Sequence, residues 1–154
     1  MRTINDWLNE YGESHKNETN KLIHWICVPV IVFSILGMLY GIKLPFYIGN
    51  YQLNVGLIIS VIAVIYYFSL SLSLSIGMFF YLAVCMHLAN LIEHSGILPL
   101  WLFSIIIFVL AWFGQFYGHK IEGKKPSFLK DIQFLMIGPA WLMSFIYKKL
   151  GVGL

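Results

Sequence analysis

VGLIISVIAVIYYFSLSLSLSIGMFFYLAVCMHLANLI, residues 55–92, contains no aspartate, glutamate, lysine or arginine. A helix that crosses the hydrocarbon core of a bilayer needs roughly 20 apolar residues, so this stretch is nearly long enough for two crossings. We predict two spans here, joined by a tight helical turn near residues 69–75. The whole chain agrees, because 59% of its residues are hydrophobic and only 11% are charged, whereas a soluble domain carries about 25% charged residues. The sequence therefore predicts an integral membrane protein.

Two further spans flank this stretch. One runs from about Leu22 to Ile42 and contains Pro29, which we expect to bend the helix. A fourth runs from about Leu98 to Tyr117. Residues 43–54 carry proline, glycine and asparagine and predict a loop.

The two ends of the chain predict shorter elements. Residues 3–12 place apolar side chains at helical spacing, with Thr3 able to cap against Asp6, which is typical of a short helix in the membrane interface. The final apolar run, from Ile132 to Tyr147, is marginal for a crossing and has a Gly-Pro pair at its centre. We predict a re-entrant or interfacial hairpin for this run.

The predicted fold class is all-α. Residues 1–154 form one polytopic membrane helix bundle with four transmembrane helices, an N-terminal interfacial helix and a short re-entrant or interfacial C-terminal helical segment. The polar first residues do not resemble a cleaved signal peptide. The 2 cysteines, Cys27 and Cys85, lie inside apolar runs and do not predict a disulfide framework. No basic stripe with exposed aromatics predicts a nucleic-acid partner.

Orientation follows from the basic residues near the span ends. Three precede the first span and four follow the fourth span, whereas the loops between hold only Lys43. The flanking residues are Arg2, Lys16 and Lys21 at one end, and Lys120, Lys124, Lys125 and Lys130 at the other. With an even number of crossings, both groups face the cytoplasm. A final segment that does not cross adds Lys148 and Lys149 to them.

Two histidine-bearing polar motifs lie at the membrane edges, HKNETNKLIH at 15–24 and GQFYGHKIEGKKP at 114–126. The count of crossings places both at one face of the bilayer. His15 and His24 are nine positions apart and would face opposite directions on one continuous helix. They converge only if the chain bends between them, and the polar, cap-rich HKNETNK stretch predicts that bend.

His119 is the third candidate ligand. Gln115, His119 and Glu122 share one helical face if the fourth helix continues past Gly118. Glu122 is then a carboxylate ligand or a partner that fixes an imidazole tautomer. Asn20 and Lys21, which lie close to His24, form with it one functional stripe.

The predicted metal ligands are therefore His15, His24 and His119. Three imidazoles, or two with a carboxylate, leave open positions that suit a redox iron, although zinc accepts the same ligands. A single histidine at a membrane interface is more often only hydrated, but three at one face favour a site. For His87 and His94 we favour interhelical hydrogen bonds, and a haem between two of the five histidines is the other reading.

The run HKNETNKLIHWICVP, together with WFGQFYGHKIEGKKPSF, resembles the 2-hydroxy fatty acid dioxygenase family over nearly the whole chain. The resemblance implies a mononuclear non-haem Fe2+ enzyme that cleaves a 2-hydroxy fatty acid with O2 and shortens it by one carbon, in fatty acid alpha-oxidation. The family's essential histidines correspond to His15, His24 and His119. On this reading Lys21 or Lys124 attracts the substrate carboxylate, and Asn20, Gln115 and Glu122 orient ligands or handle protons.

The expected location is a bacterial inner membrane, or the endoplasmic reticulum in a eukaryote, with the site facing the cytoplasm. The expected partners are the substrate, O2 and membrane lipid. A second copy of the chain, in a homo-oligomer, is a further candidate partner. Two other functions compete. One is a non-enzymatic lipid-binding or transporter-accessory protein whose histidines are only hydrated, and the other is a zinc-dependent lipid hydrolase.

Overall fold

The computed structural model describes residues 2–125 and 133–154 of the chain. Helices dominate it, and they occur close to where the apolar runs predict them. In chain order the elements are α1 (Ile4–Gly12), α2 (Glu18–Tyr40), β1 (Lys43–Ile48), β2 (Tyr51–Asn54), α3 (Val55–Leu70), α4 (Leu72–Ser95), α5 (Leu100–Glu122) and α6 (Gln133–Leu150).

The long uncharged stretch forms two helices, as predicted, and the break falls at Ser71. This residue has extended backbone angles, and its hydroxyl accepts a hydrogen bond from the Leu74 backbone N–H. A serine at this position satisfies one of the amide groups that a helix start leaves unpaired. The division is unequal, because α3 has 16 residues and α4 has 24.

Three helices, α2, α4 and α5, are long and apolar enough to cross a membrane. The fourth predicted span, α3, is shorter, at about 24 Å for its 16 residues. It nevertheless runs the length of the bundle. Gly56, in its first turn, lies against the backbone of Tyr40 at the end of α2, and the Tyr67 hydroxyl, near its other end, donates to the Met136 carbonyl of α6 at 2.7 Å. The chain thus passes along the bundle four times, and α5 ends where α2 begins.

The outward faces of the long helices are apolar and exposed. Leu22 and Ile26 of α2 are each 63% exposed, and Leu110 and Phe113 of α5 are 63% and 69% exposed. A soluble protein rarely exposes such large contiguous apolar surfaces. These faces are compatible with contact to lipid acyl chains.

The loop predicted for residues 43–54 is wrong. Strands β1 and β2 form an antiparallel hairpin in which Ile48 pairs with Tyr51 across a two-residue turn. Gly49 has a φ of +59°, which a glycine adopts without strain. A Gly-Asn pair between apolar β-forming residues is a hairpin signal, and it outweighs the proline in this segment. The fold is therefore a helical bundle, as predicted, to which one small β-hairpin is added.

The hairpin predicted for the final apolar run is also wrong. The described part of that run is one continuous helix, α6, with Pro139 inside it, and Ile132 lies outside the described residues. Tertiary contacts support the helix at both ends. The face that includes Ile137 and Trp141 is buried, and the Tyr147 hydroxyl donates to the Ser73 carbonyl at the start of α4. The same helix packs against α1, whose capping box between Thr3 and Asp6 is present as predicted.

Helices α2 and α5 form the most extensively packed pair of the bundle. We call this contact the α2–α5 seam. Small residues allow the two backbones to approach. A Cβ added at Gly114 would lie 2.6 Å from Cys27 Sγ, and one added at Gly118 would overlap Asn20 Oδ1. At the other end of the seam, Gly37 of α2 leaves room in the same way for Ser104 of α5. The seam sets the distance between the helix that carries His24 and the helix that carries His119.

Candidate metal centre

Three histidines from three different segments meet at one end of the seam. His15 lies in the loop between α1 and α2, His24 in the second turn of α2, and His119 in the last turn of α5. All three side chains are buried, with exposed fractions of 1%, 1% and 4%. Their possible ligand atoms all lie within 4.8 Å of one another. The predicted convergence of the three imidazoles is therefore present, and we call the group the histidine triad.

The bend that brings His15 back toward His24 is produced by Asn17. Its backbone is extended, and its side-chain oxygen accepts hydrogen bonds from the N–H groups of Thr19 at 2.9 Å and Asn20 at 3.3 Å. These contacts begin α2 at Glu18 and leave His15 in the preceding loop. The bend predicted for the HKNETNK stretch is therefore present.

Backbone carbonyl groups orient two of the three imidazoles. Nδ1 of His15 lies 2.6 Å from the Tyr11 carbonyl, and Nδ1 of His24 lies 2.9 Å from the Asn20 carbonyl. A carbonyl only accepts hydrogen bonds, so each Nδ1 carries the proton and each Nε2 carries a lone pair. The two Nε2 atoms face each other at 2.9 Å. Two lone pairs at this distance repel unless a cation lies between them.

The third imidazole, that of His119, has a buried nitrogen atom without a hydrogen bond in the part of the chain that the structure describes. Nδ1 of His119 is buried and has no hydrogen-bond partner within residues 2–125 and 133–154. A buried polar atom without a partner costs free energy, and a metal ion that binds this atom would remove that cost. Three neutral imidazoles with facing lone pairs fit a metal ion of the kind that histidine ligates, and these donors suit iron and zinc alike.

Burial keeps the loop histidine neutral. Removal from water lowers the pKa of His15 below its ordinary value, although the hydrogen bond to the Tyr11 carbonyl and the nearby Glu122 carboxylate act in the opposite direction. A ring that is neutral near pH 7 does not have to lose a proton before it binds a metal. The environment of His15 therefore favours ligation.

Glu122 holds the His15 loop against α5. Its two carboxylate oxygens accept hydrogen bonds from the backbone N–H groups of Lys16 at 2.8 Å and Asn17 at 2.9 Å, and from Asn20 Nδ2 at 3.1 Å. Among residues 2–125 and 133–154, the cluster of possible metal ligands at this point consists of the three histidines. The contacts of Glu122 in the structure hold the loop that carries His15 in place.

Gln115 lies next to the triad, on the face predicted for it. Helix α5 continues past Gly118 to Glu122, and Gln115 is 5% exposed. With His24 and His119 it lines a slot of about 30 Å³ whose other walls are mostly apolar. Those walls are Tyr11, Val28, Ile31, Val32, Trp112, Phe134, Leu135 and Gly138. The slot has room for a very small molecule only.

The two candidate lysines are engaged differently. Lys21 Nζ lies 2.7 Å from the Glu18 carboxylate, in the first turn of α2, and it borders an open cleft that His15 also lines. Lys124 Nζ donates to the Glu13 carbonyl at 2.7 Å. Lys124 is therefore a second tie between the end of α5 and the loop that carries His15.

The remaining two histidines lie apart from the triad. His87 and His94 are exposed, and His94 Nδ1 bonds the Asn90 carbonyl of its own helix at 2.8 Å. The predicted interhelical bond is thus wrong for His94. Asn90 forms it instead, because its side-chain oxygen accepts from the Tyr40 hydroxyl of α2 at 2.8 Å.

Sequence reasoning missed two parts of the site. Tyr11 stacks on the His15 ring with a centroid distance of 4.2 Å, and Trp141 of α6 lies 5.2 Å from the same ring. These contacts join distant segments, and no local pattern indicates them. Gly114 and Gly118 had a signal, because a Gly-x-x-x-Gly pair in an apolar helix marks a close helix contact.

Comparison with known proteins identifies relatives of this chain. Residues 1–150 match the family described as "2-hydroxy-palmitic acid dioxygenase Mpo1-like". The chain is 33% identical over 149 residues to the 2-hydroxy-palmitic acid dioxygenase MPO1 of Saccharomyces cerevisiae, which covers 94% of this chain and 79% of the yeast protein. No solved structure matches the chain.

Proposed function

The chain belongs to the Mpo1-like family, and on that premise we propose that it is a membrane-bound dioxygenase of 2-hydroxy fatty acids that depends on one Fe2+ ion. The yeast relative carries this substrate and reaction type in its name. The observation that supports the proposal most directly is the pair of Nε2 lone pairs at 2.9 Å in a buried triad. A metal ion bound to both atoms would remove the repulsion between their lone pairs, and a dioxygenase reaction requires a group that handles O2.

The proposed reaction shortens the acid by one carbon and balances without a further reductant. R–CH(OH)–COOH and O2 give R–COOH, CO2 and H2O. The bond between the carboxyl carbon and carbon 2 breaks, and carbon 2 becomes the new carboxyl carbon. The substrate supplies every electron that O2 accepts. An iron ion bound at the triad would supply the redox chemistry for O2 and open positions for an oxygen-bearing substrate.

The protein's own groups would then orient and shield the reactants. In this proposal His15, His24 and His119 hold the metal, and Gln115, buried at the edge of the slot, hydrogen-bonds a reactant oxygen there. Asn20 contributes its carbonyl to the orientation of His24 and its side chain to Glu122. We therefore assign Asn20 and Glu122 a positioning role in place of proton handling.

The slot beside His24 and His119 suits O2 better than an acyl chain. The slot is small, at about 30 Å³, and most of its walls are apolar. In this proposal O2 occupies the slot beside Gln115, and the acyl chain of the substrate reaches the triad from another side.

We also propose an orientation of the protein in its membrane. Helices α2, α4 and α5 cross the bilayer, α3 completes the fourth pass, and the triad lies at the cytoplasmic face of a bacterial inner membrane or of the endoplasmic reticulum. Lys130, which contributed to the predicted orientation, lies outside the described residues. A tag at either end of the chain that is accessible only from the outer side would overturn this orientation.

The activity is tested on the purified protein, loaded with Fe2+ under anaerobic conditions. Addition of O2 and 2-hydroxypalmitate should consume O2 and form the acid that is shorter by one carbon, in equal amounts. Palmitate, which lacks the 2-hydroxyl, should give neither. If the Fe2+-loaded protein consumes no O2 with 2-hydroxypalmitate, the proposed activity is wrong.

Two variants separate the competing functions. His24→Ala should lose both the metal and the activity, whereas His94→Ala, with a histidine outside the triad, should keep both. Equal and substoichiometric metal in the two proteins would favour a non-enzymatic lipid-binding protein. Retained zinc with lipid hydrolysis in the absence of O2 would favour the hydrolase.

A further inference from the structure

An open cleft lies beside the triad, between α1 and α6. His15, Lys16 and Lys21 line its inner end, and Trp141 and Phe145 of α6 form one wall, around a volume of about 400 Å³. Leu8, Asn9, Trp141 and Phe145 also border an adjoining open space of about 460 Å³ that extends to Lys148. We call the two spaces together the entry cleft.

The entry cleft is amphipathic along its length. Its inner end is lined by the charged residues Lys16, Lys21 and Glu13. Its wall is aromatic, because Trp141 and Phe145 pack edge to face with a centroid distance of 4.7 Å. A ligand that matches both parts has an anionic head and an apolar tail.

The aromatic wall continues to the face of the bundle that lipid would cover. Phe145 lies 6.2 Å, between ring centroids, from Trp25 of α2. Trp25 itself is 39% exposed, and its neighbours Leu22 and Ile26 are each 63% exposed. An acyl chain can therefore pass from the lipid to the cleft over a continuous apolar surface.

We propose that the entry cleft binds a single-chain fatty acid, with its carboxylate at Lys16 and Lys21 and its acyl chain along Trp141 and Phe145. The proposal rests on the proposed function and names where that substrate binds. In this pose carbon 2, which bears the hydroxyl, lies next to the end of the cleft that His15 lines. A phospholipid fits less well, because its glycerol separates the acyl chains from the charged head.

One contact in the structure opposes this binding, so its removal should strengthen the binding. Glu18 lies 2.7 Å from Lys21 Nζ, and its own side chain is 87% exposed. It therefore competes with a bound carboxylate for the same lysine. Glu18→Gln should tighten binding, whereas Lys16→Gln and Lys21→Gln should each weaken it about fivefold, as expected for one lysine that attracts an anionic lipid group.

Photolabelling of the protein loaded with zinc, which histidine also ligates and which has no redox chemistry, tests the cleft without any catalysis. The probe is palmitic acid with a photoreactive diazirine in its chain, and the protein is in nanodiscs of zwitterionic lipid. We expect adducts in the peptide that contains Trp141 and Phe145. The affinity for the probe should be highest in Glu18→Gln, intermediate in the wild type and lowest in Lys21→Gln. Lys149→Gln removes the same charge from α6 outside the cleft and should label as wild type does. The matching fatty alcohol, which has no carboxylate, should label this peptide weakly.

Several results would overturn the proposal. Adducts spread evenly over the lipid-facing helices would show ordinary lipid contact, and labelling that phosphatidylglycerol displaces better than 2-hydroxypalmitate would identify a phospholipid site. Equal labelling of the wild type and of the Lys16→Gln, Lys21→Gln double variant would show that the carboxylate does not bind these two lysines. Because no iron or O2 is present, a protein that binds fatty acid in the cleft but consumes no O2 would refute only the proposed activity.

Discussion

The α2–α5 seam and the α3–α4 pair are both made of apolar helices, but they are packed in opposite ways. In the seam, Gly114 and Gly118 leave no room for a Cβ against the facing helix. Between α3 and α4 there is instead a cavity of about 620 Å³, lined by residues such as Val61, Val64 and Ala83. Close backbone contact fixes the positions of side chains on both helices, and a cavity does not. The histidine triad lies at the tight pair, where three imidazoles can be held within a few ångströms.

Metal removal should have the largest effect, and the effect should be greatest in the seam. At a free metal concentration of about 1,000 times the Kd, binding stabilises the folded protein by about 4 kcal/mol, and a chelator removes that contribution. Amide hydrogen exchange should then accelerate most at the start of α2 and the end of α5, and less in α3 and α4. Thermal unfolding and exchange, each measured with and without chelator, check this. His119→Ala should unfold identically in both conditions, and a wild type that does the same would contradict the metal centre.

Gly118→Ala should be the next most damaging change. The added methyl overlaps Asn20 Oδ1, so α5 must move away from α2. Overpacking typically costs about 1–3 kcal/mol, and the shift also separates His119 from His24. We expect lower metal occupancy together with a lower Tm.

Ala83→Leu is the matched control, because it adds more volume but places it in the α3–α4 cavity. It should change the Tm little and leave metal occupancy unchanged. Equal losses of metal in Gly118→Ala and Ala83→Leu would show that metal binding does not depend specifically on close packing in the α2–α5 seam.

Glu122→Gln should have a smaller effect that appears mainly in metal affinity. The amide keeps one acceptor oxygen and turns an NH2 group toward the loop N–H groups that the carboxylate now accepts. Loss of a group that orients a ligand usually lowers metal affinity roughly 10–100-fold. Titration of the variant with metal in the absence of substrate measures this, and a catalytic role alone would not alter it. Glu93→Gln, which removes an exposed charge from α4, should titrate as wild type does.

The helices were predictable because their signals are local. The uncharged stretch 55–92 and the polar HKNETNK run are both read from neighbouring residues, and each has its predicted effect. The convergence of His15, His24 and His119 was also predictable, because it follows from a count of passes along the bundle.

What failed depends on contacts between distant segments or on a competition between local signals. Helix α6 continues through Gly138 and Pro139 because α1, α3 and α4 support it, and no local pattern contains those contacts. Glu122 clasps a loop more than 100 positions earlier in the chain, so sequence spacing could only place it on the correct helical face. The β-hairpin had a local signal, its Gly49-Asn50 turn, and proline obscured it.

The carbonyl groups of Tyr11 and Asn20 that orient His15 and His24 belong to the main chain. Any residue that preserves the local backbone presents the same carbonyl, so these orienting bonds place no demand on side-chain identity at positions 11 and 20. Residues 11–24 therefore form a short module that brings two nitrogen donors together with the acceptors that aim them. A designer who transplants this module to another helical scaffold would need to add two groups from a neighbouring helix, the third donor and a carboxylate that holds the loop as Glu122 does here.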